Sequence, residues 1–214
     1  MNTKTTTLLC FAIIGVAVIT GAFAYPYLPA EVASHWNARG VADDYMPKFW
    51  GIFLMPIVMF VLLAVYRIVP AIDPLRKNIE SFRSYYNLFW LVLFLFFFAI
   101  FLLIVIWNLG YMFSFTLFII PPIAALFYAI GAVLEHTKRN WFMGIRTPWT
   151  LSDDTVWEKT HKLAGRLFKI GGLFALTGLI IRDSAFALGA IIVPAMAIAL
   201  ISVVYSYIVY RQKH

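Results

Sequence analysis

The sequence predicts an all-α integral membrane protein: a six-transmembrane-helix bundle with both termini in the cytoplasm, a structured outer loop after the first helix, and a cytoplasmic loop and helix before the fifth. Three observations carry this prediction. Of 214 residues, 63% are hydrophobic and only 13% are charged, with a mean hydropathy of +0.86, whereas soluble domains carry roughly a quarter charged residues. The apolar residues gather into runs that suit the lipid, since a span needs about 20 residues to cross about 30 Å of hydrocarbon. Lys and Arg, finally, concentrate on alternate loops. The net charge of +7 is thereby explained by topology, and no nucleic-acid partner is expected.

Residues 8–25 form the first span, preceded by one charge, Lys4. A cleaved signal peptide is the rival reading, because Ala22-Phe23-Ala24 resembles a small-x-small cleavage site; an uncleaved helix is preferred. Cys10, the single cysteine, lies in this run, so no intramolecular disulfide can form. Residues 26–49 make the polar outer loop. The second span covers residues 50–69, with Pro56 as an expected kink and the Pro70/Pro74 pair as its stop. A charged connector follows, and then no charged residue occurs from Ser84 to Leu134. That run is too long for one crossing, so Asn108-Leu109-Gly110 is read as a turn between a third span (86–107) and a fourth (113–134) bent at Pro121-Pro122. A fifth span begins near residue 153, where Ser152, Asp153 or the Thr155-x-x-Glu158 box is placed to cap it, and ends before Arg182-Asp183. Lys169, one turn inside, is expected to snorkel to the interface. The sixth span, 185–209, closes with Tyr205, Tyr207 and Tyr210 at a belt position.

Dealing the loops alternately to two sides leaves only Arg39, Lys48 and Arg182, of the 17 Lys and Arg, on one of them. The positive-inside rule places that side outside, which puts residues 26–49 outside and residues 135–165 inside.

The spans hold essentially no ionisable group away from their ends, which argues against ion pumps and proton-coupled transporters. No internal repeat supports an inverted-repeat transporter. Candidate functional residues therefore lie in the two long loops. The outer loop offers His35, Trp36, Asn37, Asp43, Asp44, Tyr45 and Lys48, either as a recognition surface or as a packed cap over the bundle. His35 with Asp43 and Asp44 also raises a metal-dependent membrane enzyme, although zinc sites usually need about three or four protein ligands. No cofactor is expected. The inner segment offers Arg146, Thr147, Pro148 and Trp149, followed by Trp157 and His161, which are four apart and share a helical face with Ala164 and Phe168. One reading is an interfacial anchor, with Trp141, Trp149 and Trp157 at headgroup depth and Arg146 paired with lipid phosphate or with Asp153, Asp154 or Glu158. The other is a docking site for a cytoplasmic partner. Neither contains a nucleophile paired with a base.

Residues 144–165, GIRTPWTLSDDTVWEKTHKLAG, resemble the signature of SdpI-type immunity proteins, in which G-[IL]-R-T-P-W-T-L is followed closely by V-W. The outer-loop residues Leu28, Pro29, Val32, His35, Trp36, Gly40, Asp43 or Asp44, Tyr45 and Lys48 are similar to an uncharacterised membrane domain that often precedes it. The resemblance divides the chain into a membrane region of residues 1–110 and an SdpI-like region of residues 111–214. It implies a non-enzymatic immunity and signalling protein of the bacterial plasma membrane, with a secreted peptide toxin as partner outside and a small winged-helix repressor as partner inside. A resistance exporter is the further alternative.

Overall fold

The computed structural model describes residues 1–213. Backbone amides and carbonyls cannot stay unpaired in hydrocarbon, which leaves the helix as the economical way for one segment to cross it, and six helical stretches here are long and apolar enough to do so. The first, α1 (Thr3–Ala24), starts earlier than its apolar run because the Asn2 side chain accepts the Thr5 N–H at 2.8 Å. The second, α2 (Lys48–Ile72), keeps both Pro56 and Pro70 inside it, so its end is set by Asp73 ahead of Pro74. A short α3 (Arg76–Ser81) leads to α4 (Arg83–Asn108), and the expected turn follows, with Gly110 at φ +99°.

The fourth crossing is two pieces, α5 (Phe115–Phe118) and α6 (Ile120–Leu134). Instead of bending a continuous helix, Pro121-Pro122 occupies the first turn of α6, where the missing N–H groups would be unpaired in any case. A one-turn helix, α7 (Pro148–Ser152), precedes α8 (Asp154–Ala175), which starts where expected on an Asp153 cap. The fifth crossing finishes in α9 (Thr177–Ile181), and α10 (Ser184–Lys213) returns through the bundle with Pro194 inside it.

The prediction of an all-helical chain needs one correction. Residues 26–49 contain an antiparallel hairpin of β1 (Glu31–Trp36) and β2 (Ala42–Pro47). A register irregularity between Ala33 and Trp36 breaks the apolar-polar alternation by which a strand is recognised.

Helices α6 and α8 pack backbone to backbone. A Cβ on Gly131 would lie 2.5 Å from the Gly165 carbonyl oxygen, and one on Gly165 would lie 2.7 Å from that of Gly131. Two turns along, Gly172 meets the Ala124 carbonyl in the same way. Small residues let membrane helices approach this closely. The seam also brings Lys169 to Glu135 at the end of α6, N to O 2.6 Å, so the Lys169 ammonium has an ion-pair partner within the protein. The buried apolar side chains form two clusters, one drawn from residues 10–105 and one from residues 120–191. The hairpin, the end of α4, α5 and the α9–α10 junction gather at one end of the bundle; the N-terminus, α3, residues 135–153 and the end of α10 gather at the other.

Candidate functional site

At the end opposite the hairpin, residues 144–151 fold into a small structure in which each position has a physical task. Gly144 takes φ +110°, and a Cβ there would collide with the His161 ring. The Ile145 N–H then donates to His161 Nε2 at 2.9 Å, while His161 Nδ1 donates to the Trp157 carbonyl at 2.7 Å. This fixes a neutral imidazole with both nitrogens engaged. Thr147 caps α7, Pro148 fills its first helical position, and the Thr147 and Thr150 side chains each accept the other's backbone N–H, at 3.1 and 2.9 Å respectively, in a reciprocal box. The Thr150 hydroxyl also donates to the Ile145 carbonyl at 2.7 Å. Across the bundle, Thr147 Oγ1 lies 3.1 Å from the Ser206 hydroxyl and Trp149 packs on the Tyr207 ring at 5.1 Å.

A second set of bonds straps this segment to the first half of the chain. Asp73, 2% exposed, accepts the Leu75 N–H at 2.6 Å and the Trp141 N–H at 2.9 Å, and Asn78 donates to the Arg139 carbonyl at 2.7 Å. Asn140 closes the loop on itself, accepting from Phe142 and Met143 N–H and donating to the Met143 carbonyl. None of Asp73, Asn78, Asn140 or Ser206 stood out in the sequence, because the groups they bind are either far along the chain or backbone. Beneath the loop lies an apolar cavity of about 550 Å³, roofed by Phe142–Ile145 and walled by α2, α4, α6 and α8.

Several expected placements change. Trp157 and His161 do share a face, their rings stacked at 4.0 Å, but that face turns into the bundle and both are 1% exposed; the Trp157 indole donates to the Thr137 carbonyl at 3.1 Å. Trp157 is therefore neither a headgroup anchor nor an accessible docking residue, and Thr147 is buried with it. Arg146 pairs with none of the expected carboxylates: it donates to the Trp141 carbonyl at 2.6 Å. Asp154 pairs instead with Arg139, Glu158 with Lys162 and Asp153 with Lys213. The Lys213 ammonium, together with the Thr155 and Val156 N–H groups, holds the Asp153 carboxyl well below the usual range. The accessible rim of the site is Arg146 and Pro148, with Trp149 partly exposed.

At the other end, the hairpin is packed at the middle of β1 and open along most of β2. Val32 and Ala33 are buried, Val32 against the bare backbone of Gly51. The Asn108 carboxamide acts as a strand partner, accepting the Ala33 N–H at 2.8 Å and donating to its carbonyl at 3.1 Å. Trp36 stacks on Phe115 at 3.9 Å, Asn37 accepts the Arg39 N–H within the turn, and Lys48 sits 4.4 Å above the Tyr25 ring. These three hold the hairpin in place. His35, Asp43, Asp44 and Tyr45 remain exposed. His35 Nδ1 lies 2.6 Å from Asp43, whereas Asp44 accepts its neighbour Tyr45 N–H. No group of three His, Cys, Asp or Glu able to hold a metal occurs among the described residues, so the metal centre considered for this loop lacks a ligand set.

Residues 136–209 match the SdpI/YfhL protein family, and residues 12–60 match a domain of unknown function (DUF1648). The immunity protein SdpI of Bacillus subtilis (strain 168) is 23% identical over 205 residues, covering 96% of each chain. No solved structure matches. The resemblance read from the sequence is borne out, and the chain is a multi-pass membrane protein.

Proposed function

We propose, on the premise that the chain is an SdpI/YfhL-type membrane protein, that it is a non-enzymatic immunity and signalling protein of the bacterial plasma membrane. In this reading the hairpin end faces outside and meets a secreted peptide toxin, while the opposite end faces the cytoplasm and docks a small winged-helix repressor. The observation that carries it is the end-to-end similarity to an immunity protein, 96% of both chains. The absence of a free nucleophile-base pair at His161, whose two nitrogens are committed, supports a binding role over a catalytic one.

Signalling in this reading requires the bundle to couple its two ends. Peptide bound at the hairpin can shift the bundle only if it prefers one of two helix arrangements over the other. The cavity under Phe142–Ile145 lies where such a shift would be felt by the loop that carries Arg146 and Trp149. Toxin challenge of cells expressing the protein tests the reading: expression should protect them, and Arg146→Ala or Trp149→Ala should weaken repressor recruitment to the membrane while the protein stays membrane-inserted. Sensitivity unchanged by expression would overturn the immunity claim, and full recruitment in both variants would overturn the docking claim.

A further inference from the structure

The hairpin end holds few basic groups: Arg39, Lys48 and Arg182. Lys48 is committed to Tyr25. The other two are far apart in sequence, yet both line one cleft of about 470 Å³ between the hairpin tip and the α4–α5 and α9–α10 junctions. No Asp or Glu lines it. Asp183, next to Arg182, turns its carboxylate to the start of α10 and accepts the Phe186 N–H at 2.7 Å, while Asp43 is paired with His35.

The cleft's lining also includes two serine hydroxyl groups. The Ser114 and Ser184 hydroxyls lie 3.3 Å apart in its lining. Gly40, at φ +75°, brings the hairpin turn so near that a Cβ would lie 3.2 and 3.3 Å from those two oxygens. Arg182 is held at φ 57°, the one non-glycine residue with positive φ among the described residues. Through Ser114, Leu117 and Arg182 the cleft continues into a second space of about 530 Å³ along α5 and α9. That trough is apolar, walled by Phe118, Pro121 and Leu179, and it opens on the outer surface of the bundle, where Phe118 is 56% exposed.

We propose that this cleft binds an anionic phospholipid, Arg39 and Arg182 gripping the phosphate while an acyl chain lies in the trough between α5 and α9. Two guanidinium groups with no carboxylate partner among the described residues supply the charge and the donors that phosphate oxygens accept. An apolar channel leading from them across the face of membrane-spanning helices favours a lipid over a peptide carboxylate. The proposal does not depend on the immunity reading.

The test uses the full-length protein in phosphatidylcholine vesicles doped with a photo-activatable phosphatidylglycerol, followed by mapping of the labelled peptides. Label should concentrate in residues 39–45, 111–118 and 179–184. It should fall about tenfold in Arg39→Gln/Arg182→Gln, the loss expected for charge-assisted hydrogen bonds, and persist in Arg39→Lys/Arg182→Lys. Leu117→Trp, which narrows the trough without touching either arginine, should reduce it as well. Uniform labelling around the bundle, undiminished label in the Gln variant, or equal labelling by a phosphatidylcholine probe would overturn the proposal. Competition by glycerol phosphate as effective as by lipid would overturn the acyl-chain part, and preferential competition by an apolar peptide with a free carboxyl terminus would reassign the site.

Discussion

Gly144 and Gly110 both sit at positive φ, 110° and 99°, but only Gly144 is crowded. A Cβ at Gly110 meets nothing within 4 Å, whereas one at Gly144 runs into His161 and Trp157. Gly110→Ala should therefore lose only the backbone preference, about 1–2 kcal/mol, and Gly144→Ala should lose that plus an overpacking cost of about 1–3 kcal/mol. Thermal unfolding in detergent checks the pair, and equal losses would deny the His161 contact. The residues of this loop were only partly legible in the sequence. Four-residue spacing put Trp157 and His161 on one face correctly, but spacing cannot say whether a face turns to partner or to bundle, and here it turns inward. The sequence reading gives Arg146 either lipid phosphate or one of three nearby carboxylates as partner; each of those carboxylates binds another basic residue, and within the protein Arg146 donates to a backbone carbonyl.

Among the elements, the crossing of α6 and α8 is fixed by missing side chains. Gly165→Leu should force the helices apart, stretch the Lys169–Glu135 pair and cost about 1–3 kcal/mol or more; the same change at Gly15, which has open space around it, should be tolerated, and equal destabilisation of both would refute the seam. The tether from α10 to the cap of α8 carries a pH dependence. Because Lys213 lowers the folded-state pKa of Asp153, the stabilisation is fully present above the ordinary carboxyl value of 3.8 and is lost as pH falls below it through the folded value. The difference in Tm between wild type and Asp153→Asn, which retains a capping oxygen, should stay constant down to about pH 4 and shrink at lower pH; a difference that grows on acidification would reverse the assigned sign. Long apolar runs made the six helices legible, and Pro and Gly marked most of their breaks. The hairpin was not legible, because its strands carry Asp, His and Ser among few apolar residues and pair in an irregular register, leaving no clean alternation to read.

At the scale of the whole molecule, the two loops singled out by composition do end up at opposite ends of the bundle, each tied to it by polar contacts from distant parts of the chain: Asn108 for the hairpin, Asp73 and Asn78 for the signature loop. Those long-range partners account for why the packed parts of each site escaped a reading of local motifs. Which end faces the cytoplasm is the claim on which both proposed surfaces depend. Cys10 is fully buried, so single cysteines introduced at exposed positions of a Cys10→Ala background can be probed with a membrane-impermeant maleimide on intact cells. Val41→Cys in the hairpin turn should be modified at once and Lys138→Cys beside the signature loop should react only after the membrane is opened; labelling of Lys138→Cys in intact cells would contradict the proposed sidedness.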